Sequence, residues 1–309
     1  MKYRWLAKIA AIICAACLAV GVMSQTVFAG DDSQAGDVYT AELPQATYVV
    51  LGSTVDEATP SPEATDNRLS VPLYVGQNCV GECALIGGEP YVGVAAFLQA
   101  LGITGDINDQ GSALSLAAQG VVLTARTGQA WITCNDRYLH LKHGAQELNG
   151  ALALPVEQLV KCFGVTAAWD RVQWQVTVTS TEVVPLEKGD SFYAQEDVYW
   201  LSRMINAMAA EESLETKVAV GSVCVNRLKD SSFGPAENMY QVIFAKNQFD
   251  IVTNGMIYSE PNEDAVLAAK LAMDGWDPTG GATYVSGKDM GSGYDCLAQM
   301  GSLRLYTAA

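Results

Sequence analysis

Residues 195–228 read QEDVYWLSRMINAMAAEESLETKVAVGSVCVNRL, and this stretch decides the fold of the C-terminal third. Gln195, Glu196 and Asp197 put negative charge where a helix N-terminus, with its partial positive charge, favours it. Val198, Leu201, Met204, Ile205 and Met208 then recur at steps of three and four, the period of a helix with one apolar face. A second helix is expected from about Leu214 to Leu228, with Val218, Val220, Val223 and Val225 inside it. Further out, a third begins near Ser259-Glu260-Pro261, runs through Ala265, Ala268, Ala269 and Ala272, and stops at Gly275. Trp276-Asp277-Pro278-Thr279-Gly280-Gly281 is turn chemistry, and Tyr284 follows in a short extended stretch. Residues 192–309 therefore read as one mainly α domain with irregular loops.

That domain contains no histidine, because His140 and His143 both lie upstream. A Ser-His-Asp triad, a Cys-His pair and most zinc sites are thereby excluded. No glycine-rich phosphate loop is present. Carboxylates remain, and in a groove they suit glycoside cleavage, where one protonates the leaving oxygen of an oxocarbenium-like transition state.

Tyr199-Trp200-Leu201-x-Arg203, Ser213, Val218-Ala219-Val220, Val225-Asn226-Arg227, Gln248-Phe249 and Asn254-Gly255-x-Ile257-Tyr258 make this segment similar to the cell wall hydrolase family of spore-cortex-lytic (SleB-like) enzymes. Ala272-x-x-Gly275-Trp276-Asp277-Pro278-Thr279-Gly280-Gly281-Ala282-x-Tyr284 extends the likeness. The resemblance implies a lysozyme-like fold and cutting of peptidoglycan glycan strands, as a glycosidase or lytic transglycosylase, with no cofactor. It also implies a general-acid glutamate in a stretch like Gly-Glu-Ala-Arg-Gly-Glu. Here that stretch is Ala207-Met208-Ala209-Ala210-Glu211-Glu212, so Met208 takes the place of the acid and Glu212 matches the second glutamate. A thioether has no proton to give. Glu211 and Glu212 are the candidate catalytic residues that remain, and Met208 itself reads as a core residue in the stripe with Leu201, Met204 and Ile205. Likewise Leu303 replaces a family histidine in Gly301-Ser302-Leu303-Arg304-Leu305-Tyr306. Candidate substrate contacts are Asn226, Arg227, Phe249, Asp250 and Tyr284; Asn226-Arg227 also suits anchoring a loop, and Trp276 and Tyr284 suit either sugar stacking or core packing. Three readings of function stay open: a peptidoglycan-cleaving enzyme, a non-catalytic wall-binding or accessory protein (a pseudoenzyme), or a scaffold whose work is done by the upstream domain.

Upstream, residues 69–180 contain an internal repeat. Gly88-Glu89-Pro90-Tyr91-Val92-Gly93-Val94 leads into Phe97, Leu98, Leu101 and Gly102; Gly150-Ala151-Leu152-Ala153-Leu154-Pro155-Val156 leads into Leu159, Val160, Phe163 and Gly164. Each copy reads as turn, short strand and amphipathic helix stopped by glycine. Strands are also expected at Val121–Ala125, Tyr138–Leu141 and Val172–Val178. The result is a small α+β module of two similar halves. Val71-Pro72-Leu73-Tyr74-Val75, the Gly-x-x-Tyr-Val turn and Val165-x-x-x-Trp169-Asp170 make it resemble the copper-amine-oxidase-like N-terminal domain, a stalk on exported proteins, which implies no copper. His140 and His143, two ligands without a third, read as a solvated polar edge and not a metal site.

The chain begins with a basic segment (Lys2, Arg4, Lys8), an apolar run Ile9–Val22 too short to span a bilayer, and Val27-Phe28-Ala29 at a cleavage position. Residues 1–29 read as a signal peptide and 30–68, with Thr59-Pro60-Ser61-Pro62-Glu63, as a flexible tether. A secreted, cell-envelope location is expected, with no membrane span once the signal is removed. The formal charge of -16 argues against a nucleic-acid partner, which needs a cationic face. Of eight cysteines, removal of Cys14 and Cys17 leaves six, of which Cys79 and Cys83 look like a local disulfide and Cys224 like a buried thiol.

Overall fold

The computed structural model describes residues 69–246 and 248–309; the expected signal peptide and tether lie outside the described residues. In chain order the elements are strands β1 (Ser70–Val75), β2 (Asn78–Ile86) and β3 (Glu89–Gly93), helix α1 (Val94–Ala100), strands β4 (Asp106–Asp109), β5 (Ala113–Ala118), β6 (Val121–Arg126), β7 (Trp131–Cys134), β8 (Arg137–His140), β9 (Gln146–Leu148) and β10 (Ala151–Pro155), helix α2 (Val156–Phe163) and strands β11 (Thr166–Asp170) and β12 (Gln175–Ser180). Helices α3 (Gly189–Phe192), α4 (Gln195–Ala209), α5 (Leu214–Lys229), α6 (Met239–Phe244), α7 (Asp250–Thr253) and α8 (Glu263–Met273) follow, then strands β13 (Tyr284–Ser286), β14 (Tyr294–Met300) and β15 (Leu303–Ala308). The described residues divide into two compact units: 69–104 with Gln146–Val184, and Gly105–Ala145 with Pro185–Ala309.

In the first unit, seven strands form one sheet in the order β11-β12-β1-β2-β3-β10-β9. The pairing is antiparallel except between β1 and β12. Strands β3 and β10 lie side by side with Leu154 opposite Val92, and each runs straight into a helix. Their helices meet through Phe97 and Phe163, ring centroids 6.3 Å apart, both fully buried. Helix α2 stops at Gly164, whose φ of 61° and whose missing Cβ, which would lie 2.0 Å from the Val184 carbonyl oxygen, both require glycine.

Two expectations are corrected in this unit. Residues 172–174 are turn, not strand: the Asp170 carboxylate accepts from the Val172 and Gln173 N–H groups, and β12 starts only at Gln175. Cys79 and Cys83 both lie in β2, about 13 Å apart by strand rise, beyond the reach of a mutual disulfide.

In the second unit, β4 to β8 form a five-stranded meander. Alternation is strict on β5 and β6, where Leu114, Leu116, Val121, Leu123 and Ala125 face inward. Helices α4, α5 and α8 pack around Leu201, Met204, Ile205, Val218, Val220 and Cys224, with the alanines Ala265, Ala268, Ala269 and Ala272 allowing close approach. Gly221 marks the tightest point: a Cβ there would sit 2.9 Å from Ile205 Cδ1 and 3.1 Å from Ala272 Cβ. The Ser213 hydroxyl caps α5 by accepting from Thr216 N–H. Helix α8 starts at Glu263, later than the Ser259-Glu260-Pro261 expectation, because the Asn262 side chain accepts from Ala265 N–H and sets the cap there. Cys224 is buried as expected, 3.7 Å from Met204 Sδ, and burial pushes its thiol up to about 12.

The meander contributes to this helical core. Trp131 and Tyr138 pack against it, and Arg137 donates Nε–H and a second N–H to the Asp274 carboxylate. The Tyr193 hydroxyl donates to the same carboxylate and accepts the Tyr138 N–H at 3.0 Å. Burial first, and then the bond to Asp274, raise the Tyr193 phenol well above its ordinary pKa, so it keeps its proton. His140 is not a solvated edge: it stacks on Trp276 at 3.9 Å with rings 7° from parallel, and burial lowers its pKa to about 4. The ring is therefore a neutral packing surface.

Candidate functional site

The end of α4 and the loop after it hold Met208, Glu211 and Glu212, the candidate positions singled out in the sequence. Met208 is partly buried and packs against the helical core. Ala209 ends the helix, Glu211 is exposed, and the Glu212 N–H donates back to Ala209 O at 3.1 Å. The Glu212 carboxylate turns to the β14–β15 turn, accepting the Ser302 N–H at 3.1 Å and the Ser302 hydroxyl at 2.5 Å. Gly301 leaves the room: at φ 55°, its missing Cβ would lie 1.9 Å from Glu212 Oε2. The Ser302 hydroxyl and then the Ser302 N–H hold this carboxyl below the usual carboxylate range. At neutral pH Glu212 is an ionised acceptor with no proton to deliver.

Asn226, Arg227, Phe249 and Tyr284 come together. Arg227 is 3% exposed, donating Nε–H to Thr283 O and a terminal N–H to Gln248 Oε1 at 2.9 Å. Its guanidinium lies 4.4 Å from the Phe249 ring centroid, 4.9 Å from Phe233 and 5.0 Å from Tyr284. Burial lowers its pKa, and ring faces and oxygen dipoles supply the compensating potential. Asn226 donates to Asp277 Oδ2 at 3.0 Å and to Ala282 O at 2.9 Å. Asp277 also accepts from Thr279 N–H and hydroxyl and from Gly281 N–H. Burial opposes its ionisation, but the Thr279 hydroxyl, the Asn226 amide and the two backbone N–H groups outweigh burial and hold its pKa below the ordinary value.

The expected substrate residues thus fall into two groups. Asn226 and Arg227 tie the 277–284 loop to α5, with their amide and guanidinium groups turned to the protein, and the rings of Phe249 and Tyr284 lie against Arg227. Asp250, at the start of α7, is exposed. Trp276 spends one ring face on His140. Reading the sequence did not single out Ser302 as the partner of Glu212, nor Gln248 and Thr283 as partners of Arg227. Only Gln248-Phe249 carried a signal, inside a longer motif. Among the described residues, no group of three or more His, Cys, Asp or Glu is placed to hold a metal, and no helix is long and apolar enough to cross a membrane.

Residues 211–293 match the Cell Wall Hydrolase family model, and residues 76–178 match the Copper amine oxidase N-terminal domain model. Residues 211–293 thus carry a cell wall hydrolase domain, similar to that of spore cortex-lytic enzymes, and a copper amine oxidase N-terminal domain precedes it. Its relatives include the spore cortex-lytic enzymes of Oceanobacillus iheyensis, 36% identical over 97 residues (31% of this chain, 34% of that protein), and Bacillus cereus, 35% identical over 108 residues (34% and 41%). The chain thus spans about a third to two-fifths of the length of these curated relatives. Among solved structures it is similar to the catalytic domain of the Bacillus cereus SleB protein (30% identity, TM-score 0.34, 37% of this chain and 92% of that one). It is also similar to the catalytic domain of the germination-specific lytic transglycosylase SleB from Bacillus anthracis (30% identity, TM-score 0.34, 37% and 97%). The β-rich part followed by a mainly helical part is the two-part architecture expected from the sequence.

Proposed function

We propose that this chain is an exported cell-envelope protein whose C-terminal domain engages the glycan strands of peptidoglycan, and that Met208 at the general-acid position leaves it binding without efficient cleavage. The observation that carries this is the state of the two carboxylates that follow that position: Glu211 is exposed, and Glu212 is taken up by the β14–β15 turn. Glu212 is tied to Ser302 and held ionised, whereas a general acid needs a raised pKa. Loss of a positioned acid typically costs ~10²–10⁴ in rate, roughly 3–5 kcal/mol. For Glu212 to replace Met208, the sugar would have to move to a carboxylate that lies past the end of α4 and turns to Ser302, and errors of even ~1 Å are expensive.

In this reading Asn226, Arg227, Phe249 and Tyr284 shape the groove wall and Asp250 faces the ligand. In the same reading, residues 1–29 direct export, 30–68 tether, 69–180 carry a two-halved stalk (β3–α1 and β10–α2 as the repeated units) whose inserted meander, 105–145, packs with the helical domain, and 192–309 form the rest of the wall-binding domain. The family match favours a second reading, a surviving glycosidase or lytic transglycosylase. Incubating the purified chain with peptidoglycan separates them. Co-sedimentation without soluble product is expected; release of anhydro-muropeptides or new reducing ends would establish the second reading, and absence of binding would contradict both.

A further inference from the structure

Tyr199 (47% exposed), Tyr240 (43%), Met256 (48%) and Tyr258 (64%) are apolar residues that the helical core leaves at the surface. The three tyrosines are not scattered. Each packs against Trp200, at centroid distances of 4.9, 5.6 and 6.4 Å, and Phe244 joins at 4.8 Å. Tyr240 and Phe244 also stack on each other at 4.4 Å. Trp200 and Phe244 are partly buried against the core and anchor the group. The rings come from α4, from α6 and from the 3-10 turn Met256–Tyr258, so helical periodicity does not explain their convergence. A contiguous exposed aromatic group of this kind marks a binding surface, where single exposed apolar residues do not.

We infer that Tyr199, Tyr240 and Tyr258, seated on Trp200 and Phe244, form a second glycan-binding surface, an aromatic platform for the faces of uncharged N-acetylated pyranoses. Among the described residues, no hydrogen bond engages the three phenol hydroxyls, which leaves them for sugar hydroxyl or amide groups. The charge around the platform suits a neutral ligand. Arg203 lies 3.8 Å from the Tyr199 ring centroid but is paired to Glu260 at 2.6 Å, and the Glu260 side chain is 85% exposed. An anionic lipid or polymer therefore meets a neutralised cation and an outward carboxylate. Placement selects the glycan over a protein partner. Trp200 and Met208 share α4, about 12 Å apart along its axis and within roughly a quarter turn around it. A polymer lying across the end of α4 continues toward the platform, so this inference rests on the glycan-binding reading of the same domain.

The test compares the full chain with its Tyr240→Ala/Tyr258→Ala and Tyr240→Phe/Tyr258→Phe forms, using purified sacculi by sedimentation and a soluble N-acetylglucosamine tetrasaccharide by calorimetry. Both residues are exposed, and melting curves within a few degrees of the parent's establish intact folding. Removing two stacking rings is expected to weaken binding roughly tenfold, while the phenylalanine pair keeps most of it. If the parent binds and the alanine pair binds equally, the platform is overturned and the glycan-binding reading stands. If the parent binds neither ligand, both fall. If the alanine pair instead dissociates a dimer with glycan binding unchanged, the occupant is a second copy and the inference is wrong.

Discussion

Breaking the Arg137–Asp274 pair should destabilise the second unit more than any surface substitution. The Arg137 side chain is 8% exposed and that of Asp274 2%. Asp274 takes two donors from Arg137 and the hydroxyl of Tyr193, which itself accepts the Tyr138 N–H. Arg137 also lies over the Phe192 ring, 3.3 Å from its centroid, so its charge has little access to water. Asp274→Ala strands a guanidinium and a phenol in that setting. Removing one partner of a buried ion pair costs about 3–5 kcal/mol, or roughly 6–20 °C of melting temperature for a unit of this size. Removing both charges with apolar replacements, Arg137→Met/Asp274→Leu, avoids the stranded charge and should recover most of the loss. Urea unfolding, with hydrogen exchange read over β8 and α8, measures both. A single substitution within 0.5 kcal/mol of the parent, or a double substitution no better than the single, would refute the view that this pair joins meander to helices.

Asp277→Asn should destabilise at pH 7, and the deficit should vanish in acid. The folded pKa of Asp277 is depressed, so its contribution is complete above the unfolded value of about 4 and is lost as pH falls through the lower folded value. Urea midpoints of parent and variant should converge below about pH 4; a gap that holds steady or widens there would contradict the hydrogen-bond account. Gly221→Val should cost about 1–3 kcal/mol by overpacking, since even a Cβ meets Ile205 and Ala272; thermal melting reads it, and an unchanged melting temperature would mean that the helices separate freely.

The parts of this fold legible in the sequence are those whose cause is local. The α4 stripe from Val198 to Met208 and the strand-helix segments 89–100 and 151–163 carry period and stop signals within about twenty residues, and the elements form where those signals lie. The C-terminal hairpin was not foreseen beyond Tyr284, because β14 is exposed along most of its length and shows no alternation to read. The role of His140 was misread for another reason: its partner, Trp276, is distant in sequence and belongs to a loop that looked like turn chemistry. Ser302 meets Glu212 across 90 residues, and Arg137 meets Asp274 across 137, separations at which residue type alone names no partner. The motifs named Asn226, Arg227, Phe249 and Tyr284, which the fold brings together, while the direction in which their polar atoms point came only from tertiary structure.

The central claim is that the groove survives while position 208 lacks an acid, and Met208→Glu tests it most directly. Parent and variant are incubated with purified peptidoglycan, and the soluble products are resolved by mass spectrometry. The account predicts binding without soluble fragments for the parent and release of muropeptides by the variant, a gain of roughly 10²–10⁴ in rate. Equal release by both proteins, abolished by Glu212→Gln, would contradict it and make Glu212 the working acid.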